Sequence, residues 1–169
     1  MTPEGEARLA HAAALRERGD LDDARAILVE LRAEFPDDAH VAVQTAWVHD
    51  SLGLEEEAVD HYEVAIAGGL TDDELRGALL GLGSTYRALG RDADSARIFR
   101  SATERFPDDL ALRVFQALTN YNLGRHREAV ADLVRVLLHS TSDPSILRYR
   151  RSLAAYAEDL DRSWLSPGS

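Results

Sequence analysis

An all-α solenoid of four helix pairs closed by a C-terminal capping helix is predicted for this chain by three observations. Four glycines, Gly19, Gly53, Gly90 and Gly124, lie 34, 37 and 34 residues apart. Two columns of small residues keep step with them: Ala12, Ala46, Gly83 and Ala117 seven before each glycine, and Ala24, Ala58, Ser95 and Ala129 five after. Bulkier residues follow at helical spacing, with Leu28, Tyr62, Phe99 and Leu133 nine after each glycine. A fourth column, twelve after, holds Leu31, Ala65, Ala102 and Val136. A repeat of about 34 residues marks a helix–turn–helix unit that stacks on its neighbours. Two antiparallel helices approach closely only where side chains are small, and large residues then interdigitate around the crossing. Each glycine ends the first helix of its pair, where a left-handed backbone carries no Cβ penalty.

The elements follow in order. Thr2 before Pro3 is an N-cap with proline at the first helical position. "FPDD" at 35–38 and again at 106–109 ends one repeat and caps the next. Thr71 and Glu74 form a capping-box pattern ahead of the third pair. Asp143 and Pro144 open a last helix. The expected helices run roughly over 3–18, 21–34, 38–52, 55–68, 72–89, 92–105, 108–123, 126–139 and 143–162. The wider middle spacing needs three additional residues, expected as a longer turn around Gly68, Gly69 and Leu70. The last helix carries a stripe of Ile146, Tyr149, Leu153, Tyr156, Ala157 and Leu160, which suits a cap with one polar face. One domain is expected over 1–162, with repeats at about 5–38, 39–72, 76–109 and 110–142, the cap at about 143–162, and a flexible tail at 163–169 into which Trp164 continues the stripe.

Composition narrows the functional classes. The net charge of −11 opposes binding to a phosphate backbone, so no nucleic acid is expected as partner. All 19 basic residues are Arg. Cysteine is absent, which leaves no disulfide, thiolate metal site or thiol switch and fits a cytoplasmic protein. The N-terminus has no basic segment leading into a sustained apolar run, so no secretory signal is expected, and no window is apolar enough to suggest a membrane span.

Catalytic and metal-binding patterns are not found. His11, His40, His49, His61, His126 and His139 form no ligand pair at helical spacing. His49 is expected as a packing histidine. "GALLGLG" at 77–83 follows no strand and is read as part of a helix rather than a phosphate loop. There is no G-x-S-x-G elbow. Acidic runs such as Glu55, Glu56 and Glu57 sit at helix starts, where they complement the helix dipole. The expectation is therefore a non-enzyme without cofactor or metal.

In its column positions the chain resembles the tetratricopeptide repeat family. That pattern has a small residue at position 8, a turn former at 15, Ala at 20, an aromatic or Leu at 24, Ala at 27 and Pro at 32. Gly83, Tyr86, Gly90, Phe99, Ala102 and Pro107 give the best copy. Departures are the missing aromatic near position 4, where Arg8, Ala42, Leu79 and Arg113 stand, and Ser95 at position 20. Proline at position 32 occurs only at Pro36 and Pro107. "AWVHDSLGLEEEA", "LGSTYRALG" and "YAEDLD" are also similar to small bacterial tetratricopeptide proteins. The resemblance implies a right-handed α-α superhelix whose first helices line a concave groove. Carried across, the groove residues are Val43, Trp47, Asp50, Leu80, Ser84, Arg87, Leu118, Tyr121 and Asn122, with Arg148 adding positive charge from the "LRYRRS" segment. Arg16 and Gly77 take lining positions as well. Trp47, Arg87 and Tyr121 occupy successive repeats and are residue types enriched at binding hot spots. The Lys and Asn pair with which some relatives clamp a peptide carboxylate is missing. The expected function is a protein-binding module for a peptide or partner helix. The alternative is a homodimer that fills its groove with its own elements.

Overall fold

The computed structural model describes residues 1–161. Its helices are α1 (Pro3–Arg18), α2 (Leu21–Glu34), α3 (Ala39–Ser51), α4 (Glu55–Ala67), α5 (Asp72–Ala88), α6 (Asp92–Arg105), α7 (Leu110–Asn122), α8 (His126–Ser140), α9 (Pro144–Leu147) and α10 (Arg150–Glu158). No strand occurs among the described residues. The chain divides into two compact units, Met1–Ile98 and Phe99–Ser169. The expected tail, with Trp164, lies outside the described residues.

Local signals set the helix ends. The Thr2 hydroxyl accepts from the Gly5 amide at 3.1 Å. Asp38 accepts from the His40 and Val41 amides, and Asp109 from that of Leu112. Gly19, Gly53, Gly90 and Gly124 adopt φ of 85°, 73°, 71° and 77°. A Cβ on any of these four would meet nothing within 4 Å, so glycine is required there by backbone conformation and not by space.

In the first unit the small columns meet as expected. Ala12, Ala24, Ala46, Ala58 and Ser95 are fully buried. The Ser95 hydroxyl donates to the Gly83 carbonyl at 2.7 Å, which satisfies a buried polar group and explains how serine replaces alanine at this crossing. Leu28 packs in a cluster with Leu31, Val41 and Val48, whereas Tyr62 packs with Ala78, Leu82 and Tyr86. His49 is a packing histidine: its Nδ1 donates to the Thr45 carbonyl at 2.8 Å, and its Nε2 accepts from Arg25 Nε at 3.4 Å.

The three additional residues do not lengthen a turn. Gly68 to Thr71 is a four-residue connection, equal in length to residues 35–38 and 106–109. Instead α5 has 17 residues where α3 and α7 have 13. The capping box explains the difference: Thr71 and Glu74 satisfy each other's backbone amides, so the helix nucleates a turn early.

In the second unit α7 pairs with α8, and Phe99 stacks on Phe115 with centroids 6.1 Å apart. The C-terminal segment departs from the sequence expectation. It is two helices, α9 and α10, separated at Arg148 and Tyr149. The Tyr149 amide bonds to the Ile146 carbonyl three residues back, which tightens and ends the first piece. Of the expected stripe only Ala157 is buried; Tyr149 and Tyr156 are exposed. Two arginines hold α10 on α8, Arg135 donating to the Ala157 carbonyl and Arg150 to that of Leu138 at 2.7 Å. Arg127 and Asp161 form a further ion pair.

Candidate functional site

The first unit contains a cleft of about 280 Å³ lined by Arg16, Trp47, Asp50, Ser51, Tyr62, Gly77, Leu80 and Gly81. Four helices, α1, α3, α4 and α5, supply its lining. Arg16 from α1 lies over the Trp47 indole, its guanidinium carbon 5.0 Å from the ring centroid, a cation–π contact. The Arg16 Nε donates to Gln44 Oε1 at 3.2 Å and so is oriented as well as stacked. Gly77 passes the edge of Trp47, where an added Cβ would sit 3.0 Å from Cζ2.

The floor is polar and fixed. Tyr62 donates to Asp50 Oδ2 at 3.1 Å, and Thr85 donates to Asp50 Oδ1 at 2.9 Å. Burial pushes the Asp50 carboxyl up, and the two hydroxyl donors oppose that shift. Tyr62 itself is held protonated, mainly by burial and then by the neighbouring Asp50 charge. Asp50 therefore ties α3 to α4 and α5. Of these, α3 and α5 are joined at their other end by His40 Nδ1 and Glu74 Oε1 at 2.9 Å.

Of the groove residues expected from sequence, Trp47, Asp50 and Leu80 come together in this cleft. Ser84 and Arg87 follow Leu80 along α5 at helical spacing and are half-buried. The Arg87 Nε is buried with no hydrogen-bond partner. Val43 is a correction: it is fully buried in the core with Ala42, Ala46 and Tyr62, because α3 is covered on both sides. Leu118, Tyr121, Asn122 and Arg148 belong to the second unit. There Leu118 is half-buried and Asn122 and Arg148 are exposed. Tyr121 is 61% exposed, with its ring 4.7 Å from that of His126. Tyr62 and Gly81 were not expected at the site. Gly81 had a sequence signal, a glycine inside a helix without a turn, which marks a close approach.

A histidine pair lies on the same elements. The rings of His49 and His61 are 5.0 Å apart. Burial, then electrostatic interaction with His49 and Arg32, lower the His61 pKa from 6.5 to about 4, against opposing Asp60 and Glu57. The folded state thus resists protonating a group that the unfolded chain protonates first. The contribution of His61 to stability is full above about 6.5 and is lost as pH falls towards about 4. We expect His61→Leu to flatten that part of the stability curve. Thermal midpoints across this window check it: parallel curves for the two proteins would refute the assignment.

No helix among the described residues is long and apolar enough to cross a membrane. Comparison with known proteins adds the following. Two tetratricopeptide repeat family models match, one over residues 39–160 and one over residues 6–38. No curated protein matches. Among solved structures, YrrB, described as a TPR protein with an unusual peptide-binding site, superposes with a TM-score of 0.70 at 18% identity, over 91% of this chain and 78% of that one. MamA from AMB-1 superposes with 0.68 at 22% identity, over 85% and 78%. MamA from MSR-1 gives 0.69 at 20% identity, over 78% and 74%. At these identities the likeness is one of fold.

Proposed function

The chain belongs to the tetratricopeptide repeat family, and from that premise we propose that it is a non-enzymatic binding module which takes a peptide or partner helix on the inner faces of its first helices. The observation that carries this reading is the cleft beside Trp47. Aromatic and Arg side chains are enriched among residues that dominate binding energy. Here an indole and Leu80 offer apolar area, while Arg16 is already stacked and oriented, so little side-chain entropy remains to be lost when a guest arrives.

The guest chemistry follows from the polar groups. Asp50 has both oxygens engaged by hydroxyl donors, so it shapes the floor. The unsatisfied buried donor of Arg87 and the guanidinium of Arg16 favour an acceptor. The preferred guest is an apolar anchor with a carboxylate nearby. Affinity is expected to be weak to moderate, because the cleft is small. Val43, being buried, is not part of this surface. Ser84 extends it along α5. In the second unit, taken by itself, Leu118, Tyr121, Asn122 and Arg148 are proposed as a separate set of contact residues. YrrB, of the same fold, is described as having a peptide-binding site, which supports looking for a peptide here.

The test is a peptide array that varies an apolar anchor and the spacing to an acidic residue. We expect Arg16→Ala combined with Arg87→Ala to abolish the wild-type signal while the thermal midpoint barely moves. Retained peptide binding with a midpoint lower by several degrees would assign these arginines to the core and defeat the proposal.

A further inference from the structure

One repeat position behaves differently in the last pair. Leu28, Tyr62 and Phe99 are fully buried, and Leu133, at the equivalent place on α8, is 38% exposed. The cause is visible in what covers each. Leu28 lies with Val41 and Val48 of α3, Tyr62 lies on Gly81 of α5, and Phe99 stacks on Phe115 of α7. In each case the first helix of the following pair does the covering. On α8 the short α9 follows first, and α10 beyond it goes elsewhere. α10 meets Ala131, Arg135 and Leu138. The equivalent residues on α2 are Ala26, Glu30 and Ala33, and on α6 Arg97, Ser101 and Glu104, all exposed. So α10 covers the outer face of α8, and among the described residues the face that normally receives a next repeat is open. Val130, Leu133 and Leu137, spaced i, i+3 and i+7, form an exposed apolar stripe there.

The opposite partner is present in the same chain. Residues Val41 and Val48 on α3, and Ala78, Gly81 and Thr85 on α5, pack beneath the preceding helix and are buried. The equivalent residues on α1 are Ala7, Ala10 and Ala14, and all three are exposed. We propose that α1 of a second copy docks on the Val130–Leu133–Leu137 stripe of α8, so that copies associate head to tail by continuing the repeat. Small residues on α1 receive the bulky stripe, as Gly81 receives Tyr62. The register pairs Leu137 with Ala7, Leu133 with Ala10 and Val130 with Ala14. Antiparallel packing then brings Glu17 of α1 to the Arg125–Arg127 end of α8, where Glu17 meets Arg125 and shares Arg127 with its Asp161 partner, so the charges are complementary. The contact is heterologous, because the two faces differ and each copy keeps one of each free. It differs from the homodimer expected from sequence in being open-ended, so that further copies can add. One helix face is a small interface, so association is expected to be weak and concentration-dependent.

Sedimentation of the full chain over a concentration series, with two surface variants, tests this. Leu133→Asp closes the α8 face, and Ala10→Arg closes the α1 face; circular dichroism confirms that each remains helical. We expect the wild type to associate, either variant alone to stay monomeric, and an equimolar mixture of the two to form a discrete one-to-one dimer from its remaining pair of open faces. A wild type that stays monomeric up to its solubility limit overturns the proposal. So does self-association of either variant alone, which points to contact between two α8 faces or two α1 faces. A mixture that remains monomeric also overturns it. A chain ending at Asp161 that associates where the full chain does not shows that residues 162–169 occupy the stripe, and equally overturns it.

Discussion

Gly81→Ala is expected to destabilise the first unit by about 1–3 kcal/mol, the usual cost of forcing a methyl group into a packed interior. An ideal Cβ on Gly81 would lie 2.5 Å from Tyr62 Cζ and 2.8 Å from Cε1, far inside contact distance. Tyr62 has nowhere to retreat. It is fully buried, and its hydroxyl, the atom nearest the added methyl group, donates to Asp50. Moving the ring would also break that bond and leave a carboxylate oxygen without its donor. Alanine is the better helix former by up to about 1 kcal/mol, which offsets part of the cost without reversing it. A loss of this size lowers the thermal midpoint by about 2–4 °C per kcal/mol in a chain of this length. Gly77→Ala is the comparison. Its Cβ would meet the edge of Trp47 at 3.0 Å, and a half-buried indole has room to shift. We expect a much smaller change there. Equal midpoints for Gly81→Ala and wild type would mean that α4 and α5 do not cross where the structure places them.

These two glycines illustrate what could be read from the sequence and what could not. Helix starts at Thr2, Asp38, Thr71 and Asp109, and the turns at the four repeat glycines, follow from groups within a few residues of each other, so they are legible locally. The small columns were legible because a close crossing repeats with the period. The site was legible in part. Trp47, Asp50 and Leu80 fall into the cleft because their spacing puts them on the inner face of two neighbouring helices. Tyr62 was read only as a packing residue, since periodicity says which face it is on and not that its hydroxyl reaches past Gly81 to Asp50. Val43 was misplaced for a related reason: α3 is flanked by helices on both sides, so a residue at the groove's edge is sealed in. The C-terminal segment was the least legible. Its apolar stripe is real, but a stripe identifies a sticky face without naming its partner. The contacts that decide the matter, Arg135 on the Ala157 carbonyl and Arg150 on the Leu138 carbonyl, join residues 22 and 12 positions apart in sequence.

The same chemical change at equivalent places in the first and last pairs should give different costs. Leu28 and Leu133 occupy the same repeat position, nine residues after Gly19 and Gly124. Leu28→Ala removes a fully buried side chain from the cluster with Leu31, Val41 and Val48 and leaves a cavity, for which about 2–5 kcal/mol is the usual loss. Leu133→Ala removes a side chain already 38% exposed and covered by neither α9 nor α10 as Leu28 is covered by α3. Surrounding water fills the space, the cavity contribution disappears, and only part of the transfer free energy is lost, below about 1.5 kcal/mol. Neither helix has a side-chain N-cap hydrogen bond to lose, and alanine is a good helix former in both, so backbone terms cancel between the two variants. Measured in dilute solution, where copies are apart, the difference reports whether α8 is covered within one chain. Denaturant midpoints at unchanged slope give it directly. A Leu133→Ala cost as large as that of Leu28→Ala would mean that the stripe is buried within the single chain, and the head-to-tail site would be closed with it. A small cost in dilute protein that grows as concentration rises is the result expected if a second copy supplies the missing cover.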